Sequence, residues 1–449
     1  MGELLRLRRD AALEDGPVLR EGHVQMPLGT VGPGLQAVLE LLAGEGADED
    51  GLAAAAVAAE AEQALMRLQL LLRRLETAGW LERVLVEDDG TPVATLTPIG
   101  HEIVPVLHPL GRGPWQLSRF AHARADGGAL VIETPKASLR VTAHAPRVGA
   151  TFAALATPGP TDSFDADVLR LFVRAGLAVA PGEEDDRSLA QWAFADLLFH
   201  ARSRIGRHLG DYGGSYRLEG RFDPLPALKP ASENAIKLTS PDLVALGRTD
   251  QPFSLVLEAR RSIRVHDDEA PLTAVQVGEF LYRVARIRGV YDDGREEVES
   301  RPYPSGGALH ELELYPLVHH VDGLAQGLYR YDGHAHALEP VAEPGPRTTL
   351  LLEYARRTGV METNPQLVIV VSARFGRMMW KYESMAYAAI LKHVGVLYQT
   401  MYLVATSMGL AACALGGGNA DAFAAAAGKS YYEESSVGEF LLGSKPDDA

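Results

Sequence analysis

Residues 384–409 form a long apolar stretch whose spacing predicts one helix. Its apolar residues lie on nearly all sides, so this helix must be central in a domain or must pack against a partner chain. Lys392, His393 and Gln399 interrupt it, so it lacks the ~18–20 uninterrupted apolar residues of a membrane span. The stretch therefore predicts a core helix in a soluble protein.

Around this helix, residues 242–449 alternate between strand-like and helix-like patterns, which predicts an α+β domain. Ser254 can cap a helix over residues 255–261, and Thr273 with Gln276 fits a capping box that opens another helix. The predicted strands are residues 309–320, a hairpin of 324–331 and 336–340 around Asp332-Gly333, and a buried strand at 366–372.

The first 223 residues predict two small winged-helix-like α/β modules. In residues 1–111, helices at 35–43 and 53–79 precede two strands at 81–86 and 92–96. Residues 112–223 predict strands at 122–126, 129–134 and 140–144, then helices at 150–156, 163–176 and 187–207. Four prolines in residues 224–241 predict an extended linker before the domain at 242–449. The second module could bind a peptide by strand addition, or it could be a scaffold without a ligand.

Composition narrows the class of function. The chain has 449 residues and a net charge of −16, which disfavours general binding to nucleic acid or anionic lipid. The long helix of the first module adds little positive charge beyond Arg67, Arg73 and Arg74, so DNA binding is not favoured. The single cysteine, Cys413, is expected to be a small buried residue. The N-terminus has no signal-peptide pattern, so we expect a cytoplasmic protein.

Three guanidinium groups fall within five residues in the segment Arg260-Arg261-Ser262-Ile263-Arg264. Their mutual repulsion and the planar fork of arginine favour an anion such as phosphate. On spacing alone, a solvated basic turn with Asp267 and Asp268 as partners is slightly preferred.

Two glycine-containing segments could let the backbone approach a flat ligand. Each could equally be a plain turn or a flexible loop. The second is not a dinucleotide fingerprint, because its glycine spacing fails and we expect no strand leading directly into it. The segments are Pro304-Ser305-Gly306-Gly307 and Leu415-Gly416-Gly417-Gly418-Asn419.

Lys381 and Tyr382 stand side by side just before the long helix. A lysine near an apolar pocket loses its charge easily, and a tyrosinate is favoured beside a lysine, so the pair could act in acid–base chemistry. The alternative is a surface lysine next to a core tyrosine, which the residues alone favour.

The histidines predict no metal site. His319 and His320 are adjacent on a predicted strand and should point to opposite faces. His334 and His336 flank a hairpin tip and are expected to be solvated. We find neither a Ser-His-Asp set nor a cluster with metal-ligand spacing.

Taken in this order, the motifs resemble the SagB/ThcOx branch of the nitroreductase-like flavoenzymes. The resemblance is close in the C-terminal half and looser in the N-terminal half. The matching segments are residues 199–204 (FHARSR), 260–264 (RRSIR), 301–307 (RPYPSGG), 380–383 (WKYE), 399–418 (QTMYLVATSMGLAACALGGG) and 437–444 (VGEFLLGS).

This resemblance implies a homodimer with FMN at the subunit interface. Arg260, Ser262 and Arg264 should hold the phosphate and ribityl chain, and Lys445 should meet the phosphate in a place where family members often carry arginine. The segment from Pro304 through Ser305 and Gly306 to Gly307 should reach the flavin from the other subunit. Gly416, Gly417 and Gly418 should lie near the ring edge. The matched segments add Arg261, Gln399 and Leu415 to the expected cofactor-binding residues.

Azoline dehydrogenases of this branch use an adjacent lysine and tyrosine, which Lys381 and Tyr382 match. The resemblance thus implies oxidation of thiazoline or oxazoline rings in a ribosomally made peptide to thiazole or oxazole. The N-terminal modules would then engage a leader peptide or a partner cyclodehydratase. Three alternatives stay open: a general NAD(P)H-dependent nitro- or quinone reductase, an inactive scaffold of a peptide-modifying complex, and a winged-helix regulator fused to a sensor domain.

Overall fold

A computed structural model describes residues 2–14, 17–22, 24–100, 111–207 and 211–447. The chain divides into two compact units, residues 1–210 and 211–449. Residues 101–110, which belong to the first predicted module, lie outside the described residues.

The first unit combines short strands with seven described helices. Its strands are β1 Gly2–Leu7, β2 Ala12–Glu14, β3 Val18–Glu21, β4 Val24–Pro27, β5 Leu81–Val86, β6 Pro92–Pro98, β7 Gln116–Leu117, β8 His122–Asp126, β9 Ala129–Glu133, β10 Leu139–Ala143 and β11 Ala178–Val179. Its helices are α1 Pro33–Ala43, α2 Glu49–Glu60, α3 Ala64–Thr77, α4 Pro146–Ala154, α5 Ala166–Arg174, α6 Arg187–Ala190 and α7 Phe194–Arg202.

Strands from both predicted modules share one six-stranded sheet in the order β1-β5-β6-β10-β9-β8. The joint is the antiparallel pairing of β10 with β6, in which Leu139 lies opposite Pro98. Two apolar cores flank this sheet, one built around Trp80 and α1–α3 and the other around Phe172 and α4–α5. The boundary predicted at residues 111/112 therefore falls between strands of a single sheet.

Two long helices predicted in this unit are each broken in the structure. The helix predicted at 53–79 is wrong, because α2 ends before Ala61, whose φ of +67° leaves the helical region, and α3 starts afresh at Ala64. The helix predicted at 187–207 is likewise divided into α6 and α7. Neither break contains glycine or proline, the residues that most clearly mark a helix end in a sequence.

The second unit is a mixed α/β domain built on one large sheet. Its strands are β12 Ile236–Lys237, β13 Leu272–Thr273, β14 Gly289–Asp292, β15 Glu297–Ser300, β16 Leu312–Val318, β17 Val321–Asp322, β18 Gly327–Asp332, β19 Ala337–Ala342, β20 Leu367–Arg374, β21 Leu410–Leu415 and β22 Glu434–Ser444. Its helices are α8 Leu243–Thr249, α9 Phe253–Ala259, α10 Ala274–Ala285, α11 Pro346–Thr358, α12 Phe375–Met379, α13 Ala386–Ser407 and α14 Ala420–Ala427.

Seven strands of this unit pair antiparallel in the order β12-β19-β18-β16-β20-β22-β21. One face packs on α10 and α13, where Phe280, Leu397 and Phe440 are fully buried. The other face packs on α11 and α14 around Tyr315 and Phe423. The predicted α+β class of the domain and the central position of its long helix are confirmed.

Several local predictions for this unit hold, and others do not. The capping box of Thr273 and Gln276 is present at the start of α10. Ser254 does not cap α9, because Pro252 is the capping residue and Ser254 lies inside the helix. His336 is buried rather than solvated, and its ring hydrogen-bonds to Tyr331. His319 and His320 follow β16 instead of lying within it.

The proline-containing segment at 224–241 belongs to the second unit and packs against its other residues. Guanidinium groups of Arg374 donate to the carbonyl oxygens of Pro226 and Ala227 at 2.7 Å. Arg377, which is almost fully buried, donates to the carbonyl oxygen of Leu225 at the same distance. These buried cations fix the segment against the edge of the domain that carries α12 and the residues after it.

Candidate active site

The Pro304–Gly307 segment is held in place by a buried carboxylate and a histidine. The Gly306 amide donates to His393 Nε2 at 2.9 Å, so the ring proton lies on Nδ1, which donates to Glu311 Oε1 at 2.8 Å. The Ser305 hydroxyl donates to the other oxygen of Glu311 at 3.2 Å and accepts from the His310 amide at 3.1 Å. The segment is thus rigid, and Gly307 is left exposed at its tip.

The side chains of Lys381 and Tyr382 converge on Gly307. A Cβ added to Gly307 would lie 2.8 Å from Oη of Tyr382 and 3.3 Å from Nζ of Lys381. Gly307 also has a φ of +62°, which favours glycine. The structure therefore brings together two predicted motifs that are far apart in the chain. We call Gly307, Lys381 and Tyr382, with the neighbours described next, the lysine–tyrosine cluster.

Lys381 is a charged lysine in this cluster. Its Nζ lies 2.9 Å from Oε1 of Glu296 and 3.8 Å from Oδ2 of Asp293. Burial lowers the pKa of Lys381, but the hydrogen bond and charge of Glu296 outweigh burial and raise the pKa above its ordinary value. The expectation that this lysine loses its charge easily was therefore wrong, because it could not include the buried carboxylate of Glu296, which only the fold brings to Lys381.

The arginine segment forms a second cluster next to β21. The Ile263 amide donates to the carbonyl oxygen of Ala412 at 2.9 Å, and the Ser262 and Tyr402 hydroxyl groups lie 2.8 Å apart. The Arg260 guanidinium lies over the ring of Tyr402 at 5.2 Å. We call this set, with Arg261 and Arg264, the arginine cluster.

Among the described residues, the arginines of the arginine cluster are not paired with carboxylates. Ser262, Arg261 and Arg264 are exposed, and no ion pair joins the three arginines to an acid in the part of the chain that the structure describes. The alternative of a basic turn paired with Asp267 is not observed, since Oδ1 of Asp267 accepts from the amides of residues 269 and 270. Three unpaired guanidinium groups on one short segment suit a phosphate.

The three consecutive glycines line a cavity of about 260 Å³ together with Leu415, Tyr398 and Glu439. A strand, β21, leads straight into them, so the prediction that none does was wrong. Nothing lies within 4 Å of a Cβ built on Gly416 or Gly417, whereas one on Gly418 would lie 2.0 Å from the Glu439 carboxylate. The first two glycines thus leave open space for a ligand, and the third makes room for Glu439.

Glu439 gives this cavity a carboxyl group that gains a proton easily. Burial raises its pKa, and a hydrogen bond from Ser436 only partly offsets that effect. A protonated carboxyl can donate a hydrogen bond to a ligand carbonyl or ring nitrogen. The arginine cluster, the open glycines and this carboxyl together fit a phosphate-bearing ligand with a flat polar ring.

The two clusters lie on opposite faces of α13. His393, which holds Gly306, and Tyr402, which contacts Ser262, are nine residues apart, or about 2.5 helical turns. Tyr398, in the cavity wall, is four residues from Tyr402 and therefore shares its face. A single flat ligand cannot contact both clusters of one chain across the body of this helix.

The other predicted site residues lie at the edges of these clusters. Gln399 is exposed on α13, and Leu415 is the buried last residue of β21. Lys445 is exposed and follows Ser444, whose carbonyl oxygen accepts from the Asp267 amide at 3.3 Å. Lys445 is thus next to the segment that carries the arginines.

The sequence did not reveal the residues that support the two clusters. Glu296, Glu311 and His393 are buried polar groups, but each is isolated in the sequence and belongs to no motif. Glu439 was inside a matched segment and could have been noticed there. Within the described residues, no cluster of three or more histidine, cysteine, aspartate or glutamate side chains could hold a metal ion.

Two family models each match a segment of the chain. Residues 257–443 match the model of the nitroreductase family, and residues 115–209 match that of the cyanobactin oxidase ThcOx. The second unit thus contains a nitroreductase-like domain. The protein is thus related to a family of oxidoreductases, and the resemblance to the ThcOx branch is confirmed.

Two relatives and one solved structure align with parts of this chain. A nitroreductase of Methanocaldococcus jannaschii is 28% identical over 161 residues, which cover 36% of this chain and 76% of that protein. The microcin B17-processing protein McbC of Escherichia coli is 32% identical over 117 residues, covering 24% of this chain and 42% of McbC. Among solved structures, the E. coli microcin synthetase McbBCD complex with truncated pro-MccB17 aligns with a TM-score of 0.36 and 22% identity, covering 56% and 91% of the two chains.

Of the helices in the described ranges, none combines the length and the apolar character that crossing a bilayer requires.

Proposed function

We propose that this protein is an FMN-dependent dehydrogenase that oxidises thiazoline or oxazoline rings in a ribosomally made peptide to thiazole or oxazole. The observation that carries the proposal is the convergence of Lys381 and Tyr382 on Gly307. The similarity to McbC, which processes microcin B17, and to a cyanobactin oxidase supports a peptide as substrate.

Aromatising an azoline removes a proton from the α-carbon and a hydride from the neighbouring ring carbon. Bound FMN would supply the hydride acceptor. In this proposal Lys381 and Tyr382 act together as the base. Because Lys381 is an ammonium ion, the phenolate oxygen of Tyr382 takes the proton. Lys381 then stabilises the tyrosinate by its charge and orients it toward the ring.

The arginine cluster would bind the FMN phosphate through Arg260, Ser262 and Arg264, with Arg261 and Lys445 adding positive charge. The open backbone of Gly416 and Gly417 would face the ring edge, where the Glu439 carboxyl can donate a hydrogen bond. The match of residues 257–443 to the nitroreductase family supports this cofactor.

A homodimer would bring the two clusters together. They occupy opposite faces of α13 in one chain, so the cofactor-binding cluster of one copy can meet the Pro304–Gly307 segment of another. Apolar side chains that a partner would cover are exposed on α9 and α13, namely Phe253 at 66%, Leu255 at 57%, Tyr387 at 42% and Leu391 at 39%. Exposed apolar patches of this kind are typical of protein–protein interfaces.

A peptide has room beside the lysine–tyrosine cluster. Trp380, which precedes Lys381, lines a cavity of about 620 Å³ with Phe222, Leu225 and Tyr432. In the first unit, β8 is an edge strand whose side chains are largely exposed, which suits addition of a leader-peptide strand. We therefore include the precursor peptide and a cyclodehydratase complex as the proposed partners.

The first test combines spectroscopy with peptide mass measurement. The purified protein should be yellow, should release FMN, and in air should remove two hydrogens per ring from a cyclodehydrated peptide. Lys381→Ala and Tyr382→Phe should each lower the rate at least ~100-fold while FMN is retained, because general base catalysis contributes about that much. Lys237→Ala and Tyr354→Phe, which remove an exposed lysine and an exposed tyrosine, serve as matched controls.

A nitro- or quinone reductase is the second candidate, because the nitroreductase model matches the whole second unit except its ends. That function predicts rapid bleaching of the flavin by NAD(P)H without peptide, and near-normal rates in Lys381→Ala. Full turnover of the peptide in both Lys381→Ala and Tyr382→Phe would rule out the proposed dehydrogenase mechanism. A colourless protein that cannot be reconstituted with FMN would favour the alternative of an inactive scaffold in a peptide-modifying complex.

A further inference from the structure

The ammonium group of Lys381 contacts a hairpin turn that the sequence analysis did not consider. The turn between β14 and β15 carries Asp293, Arg295 and Glu296. The Glu296 side chain is only 1% exposed, and its Oε1 accepts from Nζ of Lys381 at 2.9 Å. A carboxylate this deeply buried is costly unless it is paired, so Glu296 and Lys381 depend on each other.

A second segment covers Lys381 from the other side. The Tyr216 amide donates to the carbonyl oxygen of Lys381 at 3.1 Å, and its ring lies 5.5 Å from Lys381 Nζ and 4.3 Å from the Arg295 guanidinium. Tyr216 has a φ of +53°, which is strained for a tyrosine. Backbone strain of this kind persists where the surrounding structure fixes a residue for a purpose. The hydrogen bond from the Tyr216 amide to the Lys381 carbonyl oxygen is one of the contacts that hold Tyr216 in this conformation.

The charged groups facing Lys381 differ in strength. Glu296 is in direct contact and buried, whereas Asp293 is exposed, 3.8 Å away, and occupied by the amides of Arg295 and Glu296. Arg295 lies over the Tyr216 ring and forms an ion pair with Glu219 at 3.8 Å. Tyr382 lies on the remaining side, with its ring 5.9 Å from Nζ. Glu296 therefore dominates the charge state of Lys381.

We propose that Glu296 is the positioning residue of the lysine–tyrosine cluster, which keeps Lys381 protonated beside Tyr382 so that Tyr382 is the proton acceptor. The proposal rests on the azoline dehydrogenase function and assigns separate roles within its catalytic pair. The proton leaves the α-carbon of the azoline and binds the phenolate oxygen of Tyr382, while Lys381 keeps its own protons throughout. Glu296 contacts neither substrate nor cofactor and acts through Lys381.

The charge state of Lys381 can be measured without turnover. The rate at which acetic anhydride acylates Lys381 in the full-length holoenzyme, followed by peptide mass spectrometry across a pH series, rises with the free-amine form. In Glu296→Gln the midpoint of this curve should move at least ~1 pH unit lower, because a nearby opposite charge typically shifts a pKa by about 1–3 units. A change in access alone would alter the plateau and leave the midpoint in place.

Asp292→Asn is the matched control. Asp292 is exposed on the same hairpin, and its carboxylate accepts from the Gly294 amide rather than from Lys381. This variant removes one negative charge from the hairpin and should leave the midpoint within error of wild type. An unchanged midpoint in Glu296→Gln, or an equal shift in Asp292→Asn, would overturn the proposal.

The pH profile of peptide oxidation provides the second measurement. If Lys381 must be charged, the alkaline limb of kcat/KM should move to lower pH in Glu296→Gln, and Glu296→Asp should recover part of the shift. A uniform loss of rate with an unmoved alkaline limb would indicate a structural role only and would contradict the proposal. Because acylation needs no substrate, a protein that fails to oxidise azolines but shows the midpoint shift separates failure of the proposed function from failure of this inference.

Discussion

The lysine–tyrosine cluster and the arginine cluster differ in how their positive charges are balanced. In the first, the cation of Lys381 is already paired with a buried carboxylate, and Gly306, which precedes the Gly307 that Lys381 approaches, is held by His393. In the second, Arg261 and Arg264 are exposed and form no ion pair with an acid among the residues that the structure describes. In the proposed function, one chain thus balances the charge of its proton-transfer site by itself, whereas the phosphate site would be balanced only when an anion binds.

The largest expected effect comes from filling the space at Gly307. Gly307→Ala should reduce peptide oxidation ~100-fold or more, because a displacement of about 1 Å at a reacting group can cost that much. Its Cβ would press on both Oη of Tyr382 and Nζ of Lys381. The measurement is the single-turnover rate of the FMN-loaded enzyme.

Gly409→Ala is the control for backbone strain. Gly409 has a φ of +69°, close to that of Gly307, but nothing lies within 4 Å of an added Cβ. If both variants lose activity equally, the contact with the catalytic pair is not the cause, and the lysine–tyrosine cluster is less closely fixed than the distances indicate.

An intermediate effect is expected in the arginine cluster, where removal of a cation should weaken cofactor binding and leave chemistry intact. Arg260→Ala and Arg264→Ala should each raise the Kd for FMN about 10- to 100-fold, the range for a charged hydrogen bond. The rate at saturating FMN should stay near wild type. Fluorescence titration with FMN, repeated at rising salt, measures the change.

Riboflavin lacks the phosphate and provides the internal comparison for these variants. Arg357→Ala, which removes an exposed arginine elsewhere, is the control variant. Riboflavin should bind wild type and both variants with similar affinity. An equal loss of riboflavin and FMN affinity would show that the arginines shape the pocket instead of pairing with phosphate.

The smallest expected effect on activity concerns the residue that anchors the arginine cluster to the sheet. His266 Nδ1 accepts from the Gln366 amide at 3.2 Å, and burial lowers the pKa of His266 to about 4. The unfolded chain takes up this proton near the ordinary value of 6.5, so folding stability should fall as pH drops from about 6.5 to about 4, by on the order of 3 kcal/mol. Denaturant titrations of the whole chain across this range measure the loss.

His266→Gln should flatten this part of the pH dependence, since glutamine does not titrate. His320→Gln, at an exposed histidine, should leave it as in wild type. Identical pH dependence in wild type and His266→Gln would mean that protonation of His266 does not change the stability of the folded protein.

Local patterns predicted the elements of the second unit better than its contacts. The long helix at 384–409 appears as α13, Ala386–Ser407, and the buried strand at 366–372 as β20, because apolar runs bounded by polar residues are decided locally. The strand β21 was missed because its alanine-rich sequence lacks the β-branched residues typical of strands.

The candidate site shows the same division between local and distant information. The motifs around Gly307 and Lys381 could be found separately, but their meeting depends on the fold of residues far apart in the chain. The pairing of Lys381 with Glu296 reversed the expected direction of its pKa, since a pKa depends on neighbours that only tertiary structure supplies. Predictions about charge state therefore needed the structure, whereas predictions about secondary structure mostly did not.

The placement of the two clusters on opposite faces of α13 has a genetic consequence. In the proposed dimer, every complete site draws its catalytic pair from one chain and its phosphate-binding arginines from the other. A chain that lacks Lys381 still contributes an intact arginine cluster to the site it shares with its partner. A chain that lacks Arg264 still contributes an intact catalytic pair. Two alleles that are each inactive alone can thus complement one another in a mixed population, whereas two lesions in the same cluster cannot.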